Sequence, residues 1–285
     1  MAFTAFSPWI GCRKPESRGC KNCYVRLPLL SLGHLKNGQD VVRTDRRDVL
    51  LDREAYGPGD GVFLCPLSDF LLEEADGWRG EIWSHMKERS DLDFFIQTKR
   101  ITRLLEPGVL PPDWGDGYPN VYINATIDDP RFSEDRLLAL VEVPARHRVI
   151  AMCPTTSPLD LTPGLRTGKI QQGYLIGEIG CGADVDELLK LVRPLRYEWV
   201  VDISKQFVEN DVHFEFKATG TRWLDETGSE RTVFSTVDQF FRARECGLDF
   251  RSSTKEFASA WGVDTEDWSS SQNCFHGNLL DKVFY

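Results

Sequence analysis

Short apolar runs alternate with amphipathic segments along most of this chain. Residues 62–65 form a continuous apolar run, which is typical of a strand buried on both faces, and strands are also predicted at residues 93–97, 121–124, 148–153, 173–178 and 213–217. Helical periodicity follows or precedes them at residues 78–89, 133–141, 199–208 and 234–244, with a shorter helix around residues 104–105. Strands that alternate with helices indicate parallel βαβ units with right-handed crossovers.

Polar residues follow nearly every predicted strand, which favours a barrel over a doubly wound sheet. In a barrel of parallel strands, the chemistry lies at the carboxyl ends of the strands. We therefore expect an α/β fold with a full or partial (β/α) TIM-type barrel over residues 1–223, and a helical and irregular cap over residues 224–285. The side chains expected to converge at the mouth are those of Ser68, Asp69, Thr98, Lys99, Asn124, Asp128, Glu178 and Lys217.

Composition narrows the class of protein. The chain has 285 residues, 41% of them hydrophobic, which is enough for one large core. It has no charged-then-apolar leader and no apolar run approaching the ~20 residues of a membrane helix, so we expect a cytoplasmic protein without membrane contact. The formal net charge of −10 argues against non-specific coating of nucleic acid, although it leaves room for a local basic groove.

The candidate chemistry begins with three cysteines near the amino terminus. Seven residues separate Cys12 from Cys20, and two separate Cys20 from Cys23. A structural zinc site needs four ligands, and the next candidates, His34 and Cys65, are distant in sequence. A four-iron cluster on three thiolates leaves one iron open, as radical chemistry on S-adenosylmethionine requires. On these residues alone, a reduced-thiol loop or a site for another metal stays an alternative.

Several segments together resemble a known family. The sequence resembles a phage and bacterial family of radical-SAM-like proteins at several places that occur in the same order. These places are Trp9, Gly11 and Cys12, the run from Gly19 to Tyr24, and six later elements. The later elements lie at residues 67–70, 98–100, 126–129, 157–160, 177–180 and 216–220, so the resemblance covers about residues 7 to 223. It implies a radical SAM barrel with a [4Fe-4S] cluster on Cys12, Cys20 and Cys23. It also implies reductive cleavage of S-adenosylmethionine to a 5′-deoxyadenosyl radical, which abstracts hydrogen from a substrate.

The resemblance also implies roles for single residues. The residues expected to bind S-adenosylmethionine are Ser68, Asp69, Thr98, Lys99, Asn124, Thr126, Asp128 and Glu178, and those expected to be catalytic are Cys153, Glu178 and Lys217. Cys153 and Cys181 stand where the family usually has other residues. Together with Cys65 they suggest a second cluster, or a thiol that acts on a substrate radical; buried small apolar residues are the simpler interpretation.

The substrate is the most open part of the hypothesis. The phage association favours rearrangement or another modification of a hypermodified DNA base, extruded from the helix, in the host cytoplasm if the chain is phage-encoded. The net negative charge of the chain instead favours a small molecule or a peptide as the substrate. A flavodoxin- or ferredoxin-type electron donor is implied in either case. The alternatives from other classes are a non-catalytic iron–sulfur protein for electron transfer or nucleic-acid binding, and a zinc-stabilised hydrolase.

Overall fold

A computed structural model describes residues 3–13, 15–23, 25, 35–37, 40–45, 47–180 and 189–253. The strands in these ranges are β1 (Phe3–Phe6), β2 (Trp9–Ile10), β3 (Val42–Arg43), β4 (Gly61–Leu64), β5 (Asp93–Thr98), β6 (Val121–Thr126), β7 (His147–Met152), β8 (Gln172–Ile176), β9 (Leu195–Arg196), β10 (His213–Ala218), β11 (Arg222–Leu224) and β12 (Glu230–Thr232). The α-helices are α1 (Asp76–Glu88), α2 (Pro130–Glu142), α3 (Thr162–Leu165), α4 (Tyr197–Glu209) and α5 (Thr236–Glu245). Short 3₁₀ helices lie at Arg18–Cys20, Arg47–Leu51, Glu73–Ala75 and Ile101–Leu105. Cys181 and the predicted tail beyond residue 253 lie outside the described residues.

The centre of the fold is an open sheet of seven parallel strands. Its order is β1-β4-β5-β6-β7-β8-β10, so each strand lies beside the strand of this same sheet that follows it in sequence. The expectation of a TIM-type barrel of the radical SAM kind is therefore wrong: the sheet is a half-barrel whose first and last strands do not pair. Six of the seven strands of the sheet and the four longer helices lie where they were predicted, and the strands are parallel as expected, whereas β1 was not predicted and the sheet is not closed.

The chain itself covers the edge at which a barrel would have to close. Phe214 on β10 donates its N–H to the carbonyl of Phe250 at 2.8 Å, and Phe250 donates back at 2.9 Å. Helix α5 also contacts β10, through a hydrogen bond from the Thr219 N–H to the Gln239 carbonyl at 3.3 Å. Because a strand edge offers one row of hydrogen-bonding groups, the edge of β10 is already in use near its start.

The two faces of the sheet differ in character. One face carries alternate apolar residues, among them Ile96, Ile123 and Phe216, which form the main core with the helices. The opposite face, called here the inner face, carries Phe95 and Tyr122 and a row of polar groups towards the carboxyl ends. In the described ranges, every helix falls short of the length and apolarity needed to cross a membrane.

Local boundaries shift from the expected ones for identifiable reasons. Helix α2 begins at Pro130 and is capped by the Asp129 side chain, which accepts the Arg131 N–H, so it starts one turn before the cap expected near Ser133. The boundary expected between the barrel (residues 1–223) and the cap (residues 224–285) falls inside strand β11. This strand pairs with β12 and, in parallel, with β9.

Candidate functional site at the carboxyl edge of the sheet

The cysteine loop, defined here as residues 11–23 with residue 14 outside the described ranges, is attached to the carboxyl edge of the sheet. Gly11 donates its N–H to the Leu67 carbonyl at 2.9 Å, and the Ser68 hydroxyl donates to the Gly11 carbonyl at 2.6 Å. Gly11 has a φ of +88°, and a Cβ there would lie 2.0 Å from the Asp40 carbonyl oxygen. Only glycine fits this entry to the loop.

Asp128, just beyond β6, holds the middle of the loop. Its Oδ1 accepts the Ser17 hydroxyl at 2.6 Å and Arg136 Nη1 at 2.7 Å. Its Oδ2 accepts the Gly19 N–H at 3.1 Å and Lys99 Nζ at 2.6 Å. Burial acts to raise the pKa of this carboxyl, but Lys99 and the other donors outweigh it and lower the pKa from its usual value. The side chain is fully buried and ionised, with four donors from the protein.

Asp129 binds the same loop at the next position. Its Oδ2 accepts the Arg18 N–H at 3.0 Å, while its carboxylate also accepts Arg131 and caps α2. The hydrogen bond from Arg131 holds the pKa of Asp129 well below its usual value. Two consecutive carboxylates thus bind the backbone of residues 18 and 19, which begin the 3₁₀ helix leading to Cys20.

Asp69 anchors the start of the loop by way of Arg100. Its carboxylate accepts the Thr98 hydroxyl at 2.7 Å, the Lys99 N–H at 3.1 Å and Arg100 Nη1 at 3.1 Å. The same Arg100 nitrogen lies 3.8 Å from Cys12 Sγ, and its neighbour Nη2 donates to the Arg13 carbonyl. The guanidinium therefore links the carboxylate to the first thiol.

Glu178, which follows β8, attaches the cysteine loop to the carboxyl edge of the sheet through Arg193. Its carboxylate accepts Arg193 Nη2 at 2.5 Å and Arg193 Nε at 2.9 Å, and Arg193 Nη1 donates to the Arg18 carbonyl at 2.9 Å. Asn22 adds a bond to the Leu191 carbonyl at 2.7 Å. Carboxylates that follow β4, β6 and β8 all act on one loop of the chain.

The three thiols of the loop are free, and burial shifts the pKa of two of them, Cys12 and Cys20. Cys12, Cys20 and Cys23 are not in disulfides. Burial raises the pKa of Cys12 to about 12, with Asp69 and Cys20 adding to the shift. Burial also raises the pKa of Cys20 to about 11, lowered in part by Lys99 and raised further by Asp128 and Cys23. Among the described residues, no three His, Cys, Asp or Glu side chains are arranged to hold a metal ion.

The inner face of the sheet reaches the loop through Cys153. The pKa of this thiol is raised to about 11 by burial, against which Lys99 and a hydrogen bond from Gln97 act, while Cys23 adds a smaller increase. Gln97 Oε1 accepts the Tyr174 hydroxyl at 2.7 Å. Lys99 Nζ donates to the Cys153 carbonyl at 3.3 Å. A polar strip therefore runs from the cysteine loop onto the inner face.

Lys217 lies farther along the inner face, on β10. Its Nζ is 2.6 Å from Glu215 Oε2 and 5.6 Å from the centre of the Tyr174 ring. Burial lowers the pKa of Lys217, and Glu215 opposes that shift. Burial would raise the pKa of Glu215, but Lys217 and His213 bring it down to about 2. The strand thus presents an ion pair next to an aromatic ring.

The structure groups most of the predicted side chains and separates others. Those gathered around the cysteine loop are Ser68, Asp69, Thr98, Lys99, Asp128, Cys153 and Glu178. Asn124 lies within β6, where its Nδ2 donates to the Tyr122 carbonyl at 3.1 Å, and the Thr126 carbonyl accepts Arg136 Nη1 at 2.9 Å. The oxygens of Asp69, Asp128 and Glu178 are engaged by donors of the protein itself. Their expected contacts to a cofactor stay predictions.

Sequence reasoning missed the residues that complete these contacts. They are Ser17, Arg100, Asp129, Arg136 and Arg193, with Gln97, Tyr174 and Glu215 on the inner face. Arg100 and Asp129 belong to the motifs at residues 98–100 and 126–129, which the sequence analysis already named. Their place in these motifs could have identified them as site residues. Arg193 had no such signal, because it acts on residues 15 and 175 positions away along the chain.

Fold and site together define an α/β protein with an open parallel sheet and a cysteine-bearing loop bound by carboxylates at its carboxyl edge. A model for the family "Protein of unknown function (DUF5131)" matches residues 2–281. The chain therefore belongs to the DUF5131 family. No curated protein and no solved structure matches the chain.

Proposed function

We propose that this protein is a radical SAM enzyme whose cysteine loop holds a [4Fe-4S] cluster through Cys12, Cys20 and Cys23. The observation that carries the proposal is the attachment of this loop: three free thiols stand on a segment that Asp128, Asp129 and their partners fix to the carboxyl edge of a parallel sheet. The carboxyl edge is where parallel α/β folds bind ligands. The motif resemblance at residues 7 to 223 supports the same conclusion.

The donor set fits a cluster better than a single ion. Cys20 contributes to the raised pKa of Cys12, and Cys23 contributes to the raised pKa of Cys20, so the three thiols share one neighbourhood. Cys12, Cys20 and Cys23 would each supply one thiolate to such a cluster, whereas a structural zinc ion would need a fourth ligand. When bound, such a cluster supplies the electron that cleaves S-adenosylmethionine to methionine and a 5′-deoxyadenosyl radical, which takes a hydrogen atom from the substrate.

The residues around the loop position and screen it. Arg100 beside Cys12 and Lys99 near Cys20 place positive charge where thiolates form, which favours the ionised ligands. Because burial raises the pKa of both thiols in the metal-free chain, loading of the site releases protons. The rigid network below the loop keeps it in place over the inner face, where a substrate would be held and water excluded.

The substrate we propose is a nucleic-acid base, modified by rearrangement or another hydrogen-abstraction reaction. Although the whole chain carries a net charge of −10, residues 12–23 contain four basic side chains and one acidic one. Arg18 and Lys21 in this loop are exposed. A local basic surface of this kind attracts phosphates. Steep weakening of DNA binding with rising salt would support a nucleic-acid substrate, and a flat dependence would favour an uncharged small molecule or a peptide.

Anaerobic reconstitution tests the enzyme hypothesis directly. The protein is supplied with iron and sulfide, reduced, and given S-adenosylmethionine, and 5′-deoxyadenosine is measured by mass spectrometry. Wild type is compared with Cys12→Ala, Cys20→Ala and Cys23→Ala. Cys246→Ala is the matched control, since this free thiol on the residue after α5 lies outside the proposed site.

Each result has a distinct meaning. Formation of 5′-deoxyadenosine in wild type and Cys246→Ala, with loss in the three loop variants, supports the proposal. A stable four-iron cluster without cleavage, even with DNA and nucleotides present, would point to electron transfer or binding instead. Retention of zinc in place of iron would overturn both interpretations.

A further inference from the structure

Two neighbouring residues after β7 carry buried hydroxyl groups that no described group of the protein satisfies. Among the described residues, Thr156 Oγ1 and Ser157 Oγ both lack a hydrogen-bond partner. Their side chains are buried, with the residues only 8% and 6% exposed. An unsatisfied buried hydroxyl retains the cost of its desolvation, and native folds rarely keep two in succession without a reason.

The adjacent residue shows that this segment is able to satisfy its own hydroxyls. Thr155, which is fully buried, donates its hydroxyl to the Met152 carbonyl at 3.1 Å and its N–H to the Ile176 carbonyl at 3.0 Å. The chemistry of Thr155 and Thr156 is identical, yet within the described ranges only Thr155 has a hydrogen-bond partner for its hydroxyl. The difference points to a partner outside the chain for Thr156 and Ser157.

The segment lies beside the cysteine loop. The Cys153 carbonyl accepts Lys99 Nζ at 3.3 Å, and a Cβ built on Gly19 would lie 2.8 Å from Pro154 Cδ. Thr155 crosses onto β8 through its bond to Ile176. Thr156 and Ser157 therefore follow directly on the part of the edge that contacts the loop, and Ser157 is the first residue of the resemblance motif at residues 157–160.

The charges nearby indicate what kind of group would bind. Lys99 is engaged by Asp128, and Arg193 is engaged by Glu178. Because these cations are already paired with carboxylates, a phosphate or carboxylate ligand would find little compensation there. Two hydroxyls, which both donate and accept, suit an uncharged polar group such as a base edge or a sugar hydroxyl.

We propose that Thr156 and Ser157 form a hydrogen-bonding subsite for an uncharged polar group of a nucleoside. This inference rests on the proposed function, which supplies two sources of such a group: the adenosyl moiety of S-adenosylmethionine and a nucleobase substrate. The subsite would orient the nucleoside next to the cysteine loop.

The test compares Thr156→Val, Ser157→Ala and the double variant with wild type. Each protein is assayed by equilibrium dialysis with S-adenosylhomocysteine and, separately, with the four common 2′-deoxynucleosides, and its melting temperature is measured without ligand. Ser204→Ala is the matched control, because the Ser204 hydroxyl is buried on α4 and donates to the Leu248 carbonyl at 2.7 Å. We expect each site variant to weaken binding about fivefold to tenfold, the equivalent of one hydrogen bond.

The melting temperature separates a ligand subsite from a structural role. Without ligand, the site variants should melt at or above the wild-type temperature, since an unsatisfied hydroxyl has been removed; Ser204→Ala should melt lower with unchanged binding. Weaker binding of S-adenosylhomocysteine alone assigns the subsite to the adenosyl group, and weaker binding of a deoxynucleoside alone assigns it to the substrate.

The contrary results are equally distinct. If wild type binds a probe and the variants bind it equally well, or if the variants melt lower as Ser204→Ala does, the subsite is refuted while the proposed function stands. If wild type binds a deoxynucleoside but not S-adenosylhomocysteine, the radical SAM proposal fails and the nucleoside result alone decides the subsite. Wild type that binds none of the probes overturns both.

Discussion

Lys99 Nζ lies 2.6 Å from Asp128 Oδ2, and this buried ion pair joins the ends of β5 and β6 directly where the cysteine loop is attached. The same oxygen accepts the Gly19 N–H, so one atom links a cation of the sheet to the backbone of the loop. Arg136 neutralises the other oxygen. The position of the loop therefore depends on the charge of Asp128.

The Asp128→Asn substitution should destabilise the protein and loosen the loop. Asparagine retains the shape but leaves Lys99 and Arg136 without their buried counter-charge, a change that typically costs about 3 to 5 kcal/mol in the free energy of unfolding. Urea denaturation measures the loss. Alkylation of Cys20, followed by peptide mapping, should become faster because this thiol is buried in the intact loop.

Glu198→Gln is the matched control for the loss of a carboxylate charge. Glu198 pairs with Arg196 at 3.3 Å with both side chains largely exposed, so we expect a change of no more than about 1 kcal/mol. Equal effects of the two substitutions, or an unchanged rate of Cys20 alkylation in Asp128→Asn, would contradict the assigned role of Asp128.

Gly19→Ala should displace the loop by steric conflict alone. The added Cβ would lie 2.1 Å from Asp128 Oδ2 and 2.8 Å from Pro154 Cδ; Asp128 is fully buried and Pro154 is partly buried. We expect a loss of about 1 to 3 kcal/mol, as is usual for overpacking, together with faster Cys20 alkylation. Thermal unfolding and the same peptide mapping provide the measurements.

The same substitution at Gly80 should have the opposite sign. Gly80 lies inside α1, and a Cβ there meets no atom within 4 Å. Alanine is favoured over glycine in a helix interior by about 0.5 to 1 kcal/mol, so Gly80→Ala should raise the melting temperature. If the Gly19→Ala protein were as stable as wild type, the loop would be able to shift away from Asp128 without loss of stability, and the predicted steric conflict would be wrong.

Arg193→Lys should weaken the third attachment of the loop. Arg193 binds both oxygens of Glu178 and the Arg18 carbonyl at once, an arrangement that requires the planar guanidinium. A lysine cannot make all of these bonds, and we expect a loss of about 1.5 to 3 kcal/mol, the value of a hydrogen bond to a charged group. Arg196→Lys, in an exposed pair, serves as control; a similar loss there would show that the effect is not specific to the loop.

The parallel strands could be predicted from sequence because their signal is local. Residues 93–97 and 121–124 each contain three consecutive apolar residues, at positions 94–96 and 121–123, and they correspond to β5 and β6. Closure of the sheet could not be predicted, since it depends on a contact between distant segments. Phe250 pairs with Phe214 across 36 positions of the chain, and no periodicity in the sequence indicates this contact.

The candidate site, like the fold, could be predicted from the sequence only where the signal is local. The polar residues that follow strands, such as Asp69 and Asp128, were visible as motifs. Their partners were not, because the bonds of Asp128 to Ser17 and Gly19 join residues 111 and 109 positions apart. Residue types at strand ends reveal where a site lies, whereas the donors that occupy each carboxylate depend on tertiary packing.

Acid should remove the contribution of Asp128 to stability. The folded-state pKa of Asp128 is lowered from 3.8: burial would raise it, but Lys99 and the hydrogen-bond donors outweigh burial. A carboxyl with a lowered folded pKa stabilises the fold fully above its unfolded pKa, and that stability is lost as the pH falls through the folded pKa. Urea unfolding of wild type and Asp128→Asn between pH 7 and about 2.5 measures this loss as the difference between the two proteins. Other acidic groups titrate in both proteins and cancel in the comparison. We expect a constant difference above pH ~5 that shrinks as the pH drops below ~4, because a protonated Asp128 resembles asparagine in charge. A difference that stays the same down to the lowest pH would mean that the charge of Asp128 does not hold the loop.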